Sequence, residues 1–190
     1  MDKLRIGFAM CGSFCTFDKA MVVMQELANR DMEVTPIMSH TAYSTDTRFG
    51  KAEEINKRIE SICGKEIIHT IEKAEPIGPA KMFDVLLVEP CTGNTLAKLA
   101  SGITDTAVTM ACKSHLRNSR PVVLAVSTND ALGNSAKNIG QLMNYRNVYF
   151  VPLRQDDCKM KPRSVVADFS LTVRTLEAAI ESRQIQPMIM

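Results

Sequence analysis

Short apolar runs of strand length alternate along this chain with stretches whose apolar residues recur at helical spacing, and that alternation restricts the fold more than any other feature. Strand, helix, strand in succession is the signature of βαβ units around a mostly parallel sheet with helices on both faces. A doubly wound α/β architecture is therefore predicted. With 190 residues the chain suits one domain, residues 1–190, and is short for two complete cores.

Leu4 to Met10 is an apolar run halted by Cys11-Gly12-Ser13, predicted as a buried strand entering a tight turn. Phe17, Ala20, Met21, Met24, Leu27 and Ala28 follow at helical spacing, with the methionines as core on one helix face. Val34 to Met38 predicts a second strand ending at Ser39-His40, and the hydroxyl-rich stretch Thr41 to Phe49 predicts a loop. Ile55, Ile59 and Ile62 mark a surface helix that ends at Gly64. Val85 to Val88 is the clearest central strand, stopped by Glu89-Pro90, after which a polar turn, Cys91 to Thr95, leads into a helix carrying Leu96, Leu99 and Ala100. A helix over Ala107 to Leu116, a strand over Pro121 to Val126 and a polar turn from Ser127 to Asn134 come next. A strand over Val148 to Val151 and a terminal helix with Phe169, Val173, Leu176 and Ile180 on one face complete the pattern.

Charge and cysteine usage narrow the partners. Lys and Arg number 23 against 21 Asp and Glu, scattered without a basic run or interleaved aromatic residues, so neither nucleic acid nor an acidic membrane surface is expected. Cys11, Cys15, Cys63, Cys91, Cys112 and Cys158 form no C-x-x-C pair and have no histidine partners, which reads as reduced thiols and no metal site. Asp2, Lys3 and Arg5 precede an apolar run too brief for a signal peptide, and no apolar stretch approaches a membrane span; the expected compartment is the cytoplasm.

In open parallel sheets ligands bind beyond the carboxyl ends of the strands. Cys11-Gly12-Ser13, Pro90 to Thr95 and Ser127-Thr128-Asn129 place small, hydroxyl and amide residues there, where helix N-termini expose backbone N–H groups. That combination suits a phosphate. Taken singly, each turn has an ordinary alternative: Ser13, Asn94 and Thr95 as helix caps, Gly12 as a residue needed for positive φ, Asn129-Asp130 as turn formers. The joint pattern favours a ligand. The first turn reads C-G-S-F-C rather than G-x-G-x-x-G, and no G-x-x-x-x-G-K-[ST] occurs, so a mononucleotide is expected rather than a dinucleotide or a P-loop nucleotide.

The run from Pro90 to Asp105, PCTGNTLAKLASGITD, together with Gly12-Ser13 after the first strand and Ser39 at the end of the second, resembles the homo-oligomeric flavin-containing cysteine decarboxylases and their relatives. The resemblance covers nearly the whole chain. It implies a single Rossmann-like, flavodoxin-like domain that binds FMN, with Gly12, Ser13 and Ser39 at the phosphate and Thr92, Asn94 and Thr95 along the ribityl and ring side; Phe14 and Ser127 belong to the same cofactor-binding set. Asn129 falls where the decarboxylases have the Asn of P-A-M-N, which contacts substrate in that family, and it is the candidate catalytic residue. Two departures count against cysteine decarboxylation. Val126-Ser127-Thr128 replaces Pro-Ala-Met, and Glu75-Pro76-Ile77-Gly78-Pro79-Ala80 occupies the segment that carries the family's catalytic His. His40, His69 and His115 have no motif around them.

Ser44 to Gly50, Thr92-Gly93-Asn94, Arg117 to Leu124, Ser127 to Gly133, Gln155-Asp156-Asp157 and Lys161-Pro162 resemble, more narrowly, a branch of this family formed by the B subunits of two-subunit synthases of sporulating bacteria. That likeness implies a partner A subunit similar to nicotinamide-binding dehydrogenases, a small dicarboxylate substrate and an oxidation that makes an aromatic pyridine ring. It also implies the mother-cell cytoplasm and a trimer-based homo-oligomer. Lys98, Arg117, Arg120, Arg48 and Arg154 are candidate cations for a dianionic substrate. The alternatives are a flavin-binding subunit that stabilises its partner without chemistry of its own, a decarboxylase-like enzyme, and a chain that has kept the fold and lost the flavin.

Overall fold

In β1 (Arg5–Met10), Ile6, Phe8 and Met10 face one side of the sheet and Ala9 the other, the period of two that a strand buried on both faces requires. The structure, a computed structural model, describes residues 3–190; Asp2 of the charged lead-in lies outside the described residues. β2 (Glu33–Met38), β3 (Val85–Cys91), β4 (Val122–Thr128) and β5 (Val148–Phe150) join β1 in the parallel order β2-β1-β3-β4-β5. β6 (Leu153–Asp157) and β7 (Lys161–Ala167) form an antiparallel hairpin that completes a seven-stranded sheet. β4 is shared along its length. Val122, Val123 and Leu124 pair with β5, whereas Ser127 and Thr128 pair with Val166 and Val165 of β7.

Helices cover both faces, as the alternation predicts. α1 (Phe17–Asn29), α3 (Ala52–Cys63) and α8 (Thr172–Ile180) pack their apolar sides onto the face that carries Phe8, Leu87 and Val123. α5 (Gly93–Ala100), α6 (Ala107–Leu116) and α7 (Ala136–Met143) cover the face that carries Val88, Leu124 and Val126. Gly64 ends α3 in the left-handed conformation, φ 62°, which glycine adopts without steric cost. The strand order reverses between β1 and β3, and the crevice beyond their carboxyl ends is where such sheets bind ligands.

Several local expectations need correction. Thr41 to Phe49 is not wholly a loop: the Ser39 hydroxyl accepts the Ala42 N–H at 3.3 Å and starts α2 (His40–Ser44). Glu89-Pro90 does not stop β3, because a register irregularity between Val88 and Cys91 in the pairing with β4 accommodates a proline inside the strand. Ser127 and Thr128 are strand rather than turn, since β7 supplies partners from a distant part of the chain. The hairpin and the short α4 (Ile71–Ala74) carry no strong local pattern, and in β6 only Leu153 is buried; α7 buries Ile139 and Leu142 at helical spacing and is not among the predicted helices.

The free edge of β5 is closed by one side chain. The Gln184 amide accepts the Phe150 N–H at 2.8 Å and donates to the Phe150 carbonyl at 2.8 Å, taking the place of a neighbouring strand at a residue only 1% exposed. Gln184→Ala leaves both groups unpaired, and we expect it to cost about 1–3 kcal/mol. Thermal unfolding checks this; an unchanged melting temperature would show the edge to be satisfied in another way.

Candidate functional site

A cavity of about 870 Å³ opens at the carboxyl ends of β1, β3 and β4. Its walls are Gly12, Ser13 and Phe14 after β1, Thr92, Gly93 and Asn94 at the start of α5, and Ser127, Thr128 and Asn129 at the end of β4. Asn134, Ser135 and Asn138 from the start of α7 add a polar side, and Asp156, Lys161, Ser164 and Val166 from the hairpin close another. Arg48 and Phe49 enter from the segment before α3. The three polar turns singled out in the sequence thus meet in one place.

Ser13 does not cap the helical turn that follows it; no side-chain cap bond is made there. Its hydroxyl instead lies 2.8 Å from that of Ser127 and 3.2 Å from that of Thr16. Thr16 donates to the Ser13 carbonyl at 2.8 Å, which commits its hydrogen. Either Ser13 or Ser127 can be the donor in the bond between them, and both residues line the cavity. Gly12 has no positive φ, and a Cβ there would make only ordinary contacts, the nearest at 3.5 Å, so backbone conformation does not explain the glycine.

The turn after β3 is built differently. Thr92, not Asn94 or Thr95, caps α5 by accepting the Thr95 N–H at 3.3 Å. Thr95 is 6% exposed and donates to Cys11 Sγ at 3.1 Å, beneath the cavity rather than on its wall. Burial pushes the Cys11 thiol up to about 11, with the Thr95 bond opposing, so it is a neutral thiol and no nucleophile. Gly93 fits against a cluster of oxygens: a Cβ there would lie 2.7 Å from Ser135 Oγ, 2.8 Å from Thr128 Oγ1 and 2.9 Å from Asp130 Oδ1. Asp130 accepts from Thr128 at 2.7 Å and Ser135 at 2.8 Å, and the Thr128 bond foremost holds its carboxyl below the usual range. A carboxylate already sits beside the α5 N-terminus, so an anion is better placed at Ser13, whose hydroxyl is bonded to no carboxylate among the described residues.

Asn94, Asn129, Asn134 and Asn138 line the cavity, and among the described residues their side-chain amides make no hydrogen bond within the protein. Ser39 does not line the cavity; it serves as the cap of α2. Of the five candidate cations only Arg48 reaches the wall. Lys98 pairs with Asp105 at 2.8 Å, Arg120 with Asp84 at 3.3 Å and Arg154 with Asp168 at 3.1 Å, and Arg117 ends α6. Lys161 was missed, as were Asn134, Ser135 and Asn138; the charged pair Asp156 and Lys161 across the hairpin was the available signal. No histidine lines the cavity: His40 is exposed, His69 stacks on Tyr43 at 3.8 Å, and His115 is buried, with desolvation and then Arg120 lowering it to about 4. Among the described residues no group of three or more His, Cys, Asp or Glu could hold a metal ion, and no helix is long and apolar enough to cross a membrane.

Fold and site together define a flavoprotein: the Flavoprotein family model matches residues 1–175, and the chain belongs to that family. It is 45% identical over 185 residues to the B subunit of dipicolinate synthase from Bacillus subtilis (strain 168), covering 97% of this chain and 92% of that protein. The crystal structure of the dipicolinate synthase B subunit from Bacillus halodurans C superposes with a TM-score of 0.90 at 40% identity, covering 100% of this chain and 98% of that one. The FMN-dependent cysteine decarboxylase SpaF shares the fold, with a TM-score of 0.66 at 24% identity over 94% of this chain and 97% of the other.

Proposed function

We propose that this chain is the flavin-carrying B subunit of a dipicolinate synthase, acting with an A subunit to oxidise a dihydrodipicolinate-type precursor to dipicolinate during sporulation. The observation that carries the reading is the pairing, in one cavity, of a hydroxyl cluster bonded to no carboxylate with four unpartnered side-chain amides. The cluster suits a phosphate, and amides that can both donate and accept suit the polar edge of a flat ring system. The residues therefore fit FMN. Gly12 and Ser13, backed by Ser127 and Thr16, would hold the phosphate; Phe14, Thr92, Asn94 and the first N–H groups of α5 would flank the rest, with Thr95 and Ser39 supporting the two turns from behind.

When bound, FMN supplies an acceptor for the hydride that leaves the dihydropyridine ring, a proton being lost as the ring becomes aromatic. Asn129, at the end of a rigid strand, orients the substrate through its amide. Val166 and Phe14 exclude water from part of the wall. With no histidine on the wall, the chain lacks the usual side chain for a decarboxylase of this family. The reading includes a trimer-based homo-oligomer, which sedimentation equilibrium checks.

The test is a visible spectrum of the purified protein before and after adding FMN, followed by anaerobic mixing with dihydrodipicolinate and the A subunit. Flavin bands that stay with the protein after free FMN is removed, and that bleach in a single turnover, are expected. Failure to take up FMN would sink the flavoenzyme reading, and uptake without bleaching would leave a flavin-binding subunit with no chemistry of its own.

A further inference from the structure

Thr47 and Gly50 close a tight turn by reciprocal backbone bonds, Thr47 N–H to the Gly50 carbonyl at 3.0 Å and Gly50 N–H to the Thr47 carbonyl at 3.2 Å. Arg48 and Phe49 are its two tip residues. The turn is braced from both sides: Thr47 Oγ1 accepts the Phe49 N–H at 3.1 Å, and Asp46 Oδ1 accepts the Ala52 N–H at 2.8 Å where α3 begins. Gly50 has φ +147°, a conformation that side-chain-bearing residues rarely adopt, so the bend depends on glycine.

This bracing holds an aromatic ring in a place that its own burial does not explain. Phe49 lines the cavity yet is 49% exposed, a cost in apolar hydration unless something covers it. The Arg48 guanidinium carbon lies over one face of the Phe49 ring, 4.9 Å from its centroid. Arg48 has no carboxylate partner among the described residues, whereas the other cation on the wall, Lys161, is paired with Asp156 at 2.8 Å. The other, open face of Phe49 and a guanidinium without a carboxylate partner, held together on one braced turn, match a planar ring that bears a carboxylate on its rim.

We propose that the Arg48–Phe49 turn is the arm that reads the substrate: Phe49 covers one face of a planar six-membered heteroaromatic dicarboxylate or its dihydro form, and Arg48 pairs with one of its carboxylates. This rests on the function proposed above and assigns its specificity to two residues that take no part in holding the phosphate.

The FMN-loaded protein is titrated calorimetrically with pyridine-2,6-dicarboxylate and with pyridine-2-carboxylate, in wild type, Arg48→Ala, Arg48→Lys and Phe49→Ala, with FMN affinity and sedimentation measured alongside. Arg48→Ala should weaken the dicarboxylate at least about 10-fold and shrink its advantage over the monocarboxylate, Arg48→Lys should recover part of the loss, and Phe49→Ala should weaken both ligands about 10-fold. FMN affinity and assembly mass should stay as in wild type. Wild type that binds the dicarboxylate while both alanine variants bind it equally well overturns the arm alone. Wild type that holds FMN and binds neither pyridine acid overturns the arm and the substrate reading together. A change of assembly mass in Phe49→Ala with ligand affinities intact overturns it in favour of a contact between copies of the chain.

Discussion

Replacing Ser13 by aspartate should strip the protein of FMN while leaving the fold in place. Ser13 sits in a hydroxyl cluster that no carboxylate bonds to among the described residues, its Oγ 2.8 Å from Ser127 and 3.2 Å from Thr16. An aspartate there would draw the Ser127 hydroxyl to itself, remove the Ser13 hydroxyl and place a negative charge against a phosphate dianion. Loss of the donors together with like-charge repulsion should weaken binding by at least about 100-fold, on the order of 3 kcal/mol. Ser13→Ala removes one hydroxyl without adding charge and should cost only about 10-fold. Flavin retained through gel filtration, with circular dichroism as the folding control, separates the cases; an aspartate variant that keeps its flavin would move the phosphate elsewhere.

The second large effect lies in the core. Glu89 of β3 is 0% exposed, its Oε2 accepts the Thr172 hydroxyl at 2.6 Å, and its Oε1 has no partner. Burial, opposed by the Thr172 bond, raises its pKa from 4.5 to about 8, so the folded protein keeps the acid neutral near pH 7. Unfolded, the same glutamate ionises around 4.5. Between those two values the unfolded chain has released the proton and the folded one still holds it. The stability from this group is therefore fully present below about pH 4.5 and declines as pH rises towards about 8, by about 1.4 kcal/mol per pH unit. Glu89→Gln keeps an acceptor for Thr172 and removes the titration. Urea unfolding at about pH 5 and about pH 8 should show a difference in wild type that is smaller in the variant by roughly 3 kcal/mol, with the variant the more stable at the higher pH. Equal slopes in the two proteins would mean that Glu89 is ionised in the fold.

What could be read from the sequence was whatever neighbouring residues determine. The end of β1 and the start of α5 show in local pattern, because an apolar run that meets small polar residues has few other structures open to it. The α6 boundaries, Ala107 and Leu116, match the prediction to the residue, helped by the reciprocal capping of Thr106 and Thr109. Choosing between cap and ligand for Ser13 was beyond local pattern, since the deciding partner, Ser127, is 114 positions away. The candidate cations failed for the same reason: Lys98, Arg120 and Arg154 satisfy their charges on Asp105, Asp84 and Asp168, pairings that only the folded chain brings about. The exposed run Arg154 to Asp157 gives no alternation by which β6 could be recognised, so the hairpin wall and Lys161 stayed hidden.

That hairpin pairs with β4 at Ser127 and Thr128, while Val122 to Leu124 of the same strand pair with β5. Descent can therefore act on the two parts separately. Insertions or exchanges at the exposed end of the hairpin, Asp156 to Lys161, would alter one wall of the cavity while the pairing of Ser127 and Thr128 with Val166 and Val165 stays in place, so one frame can be refitted to another ligand by rewriting the end of a single appendage.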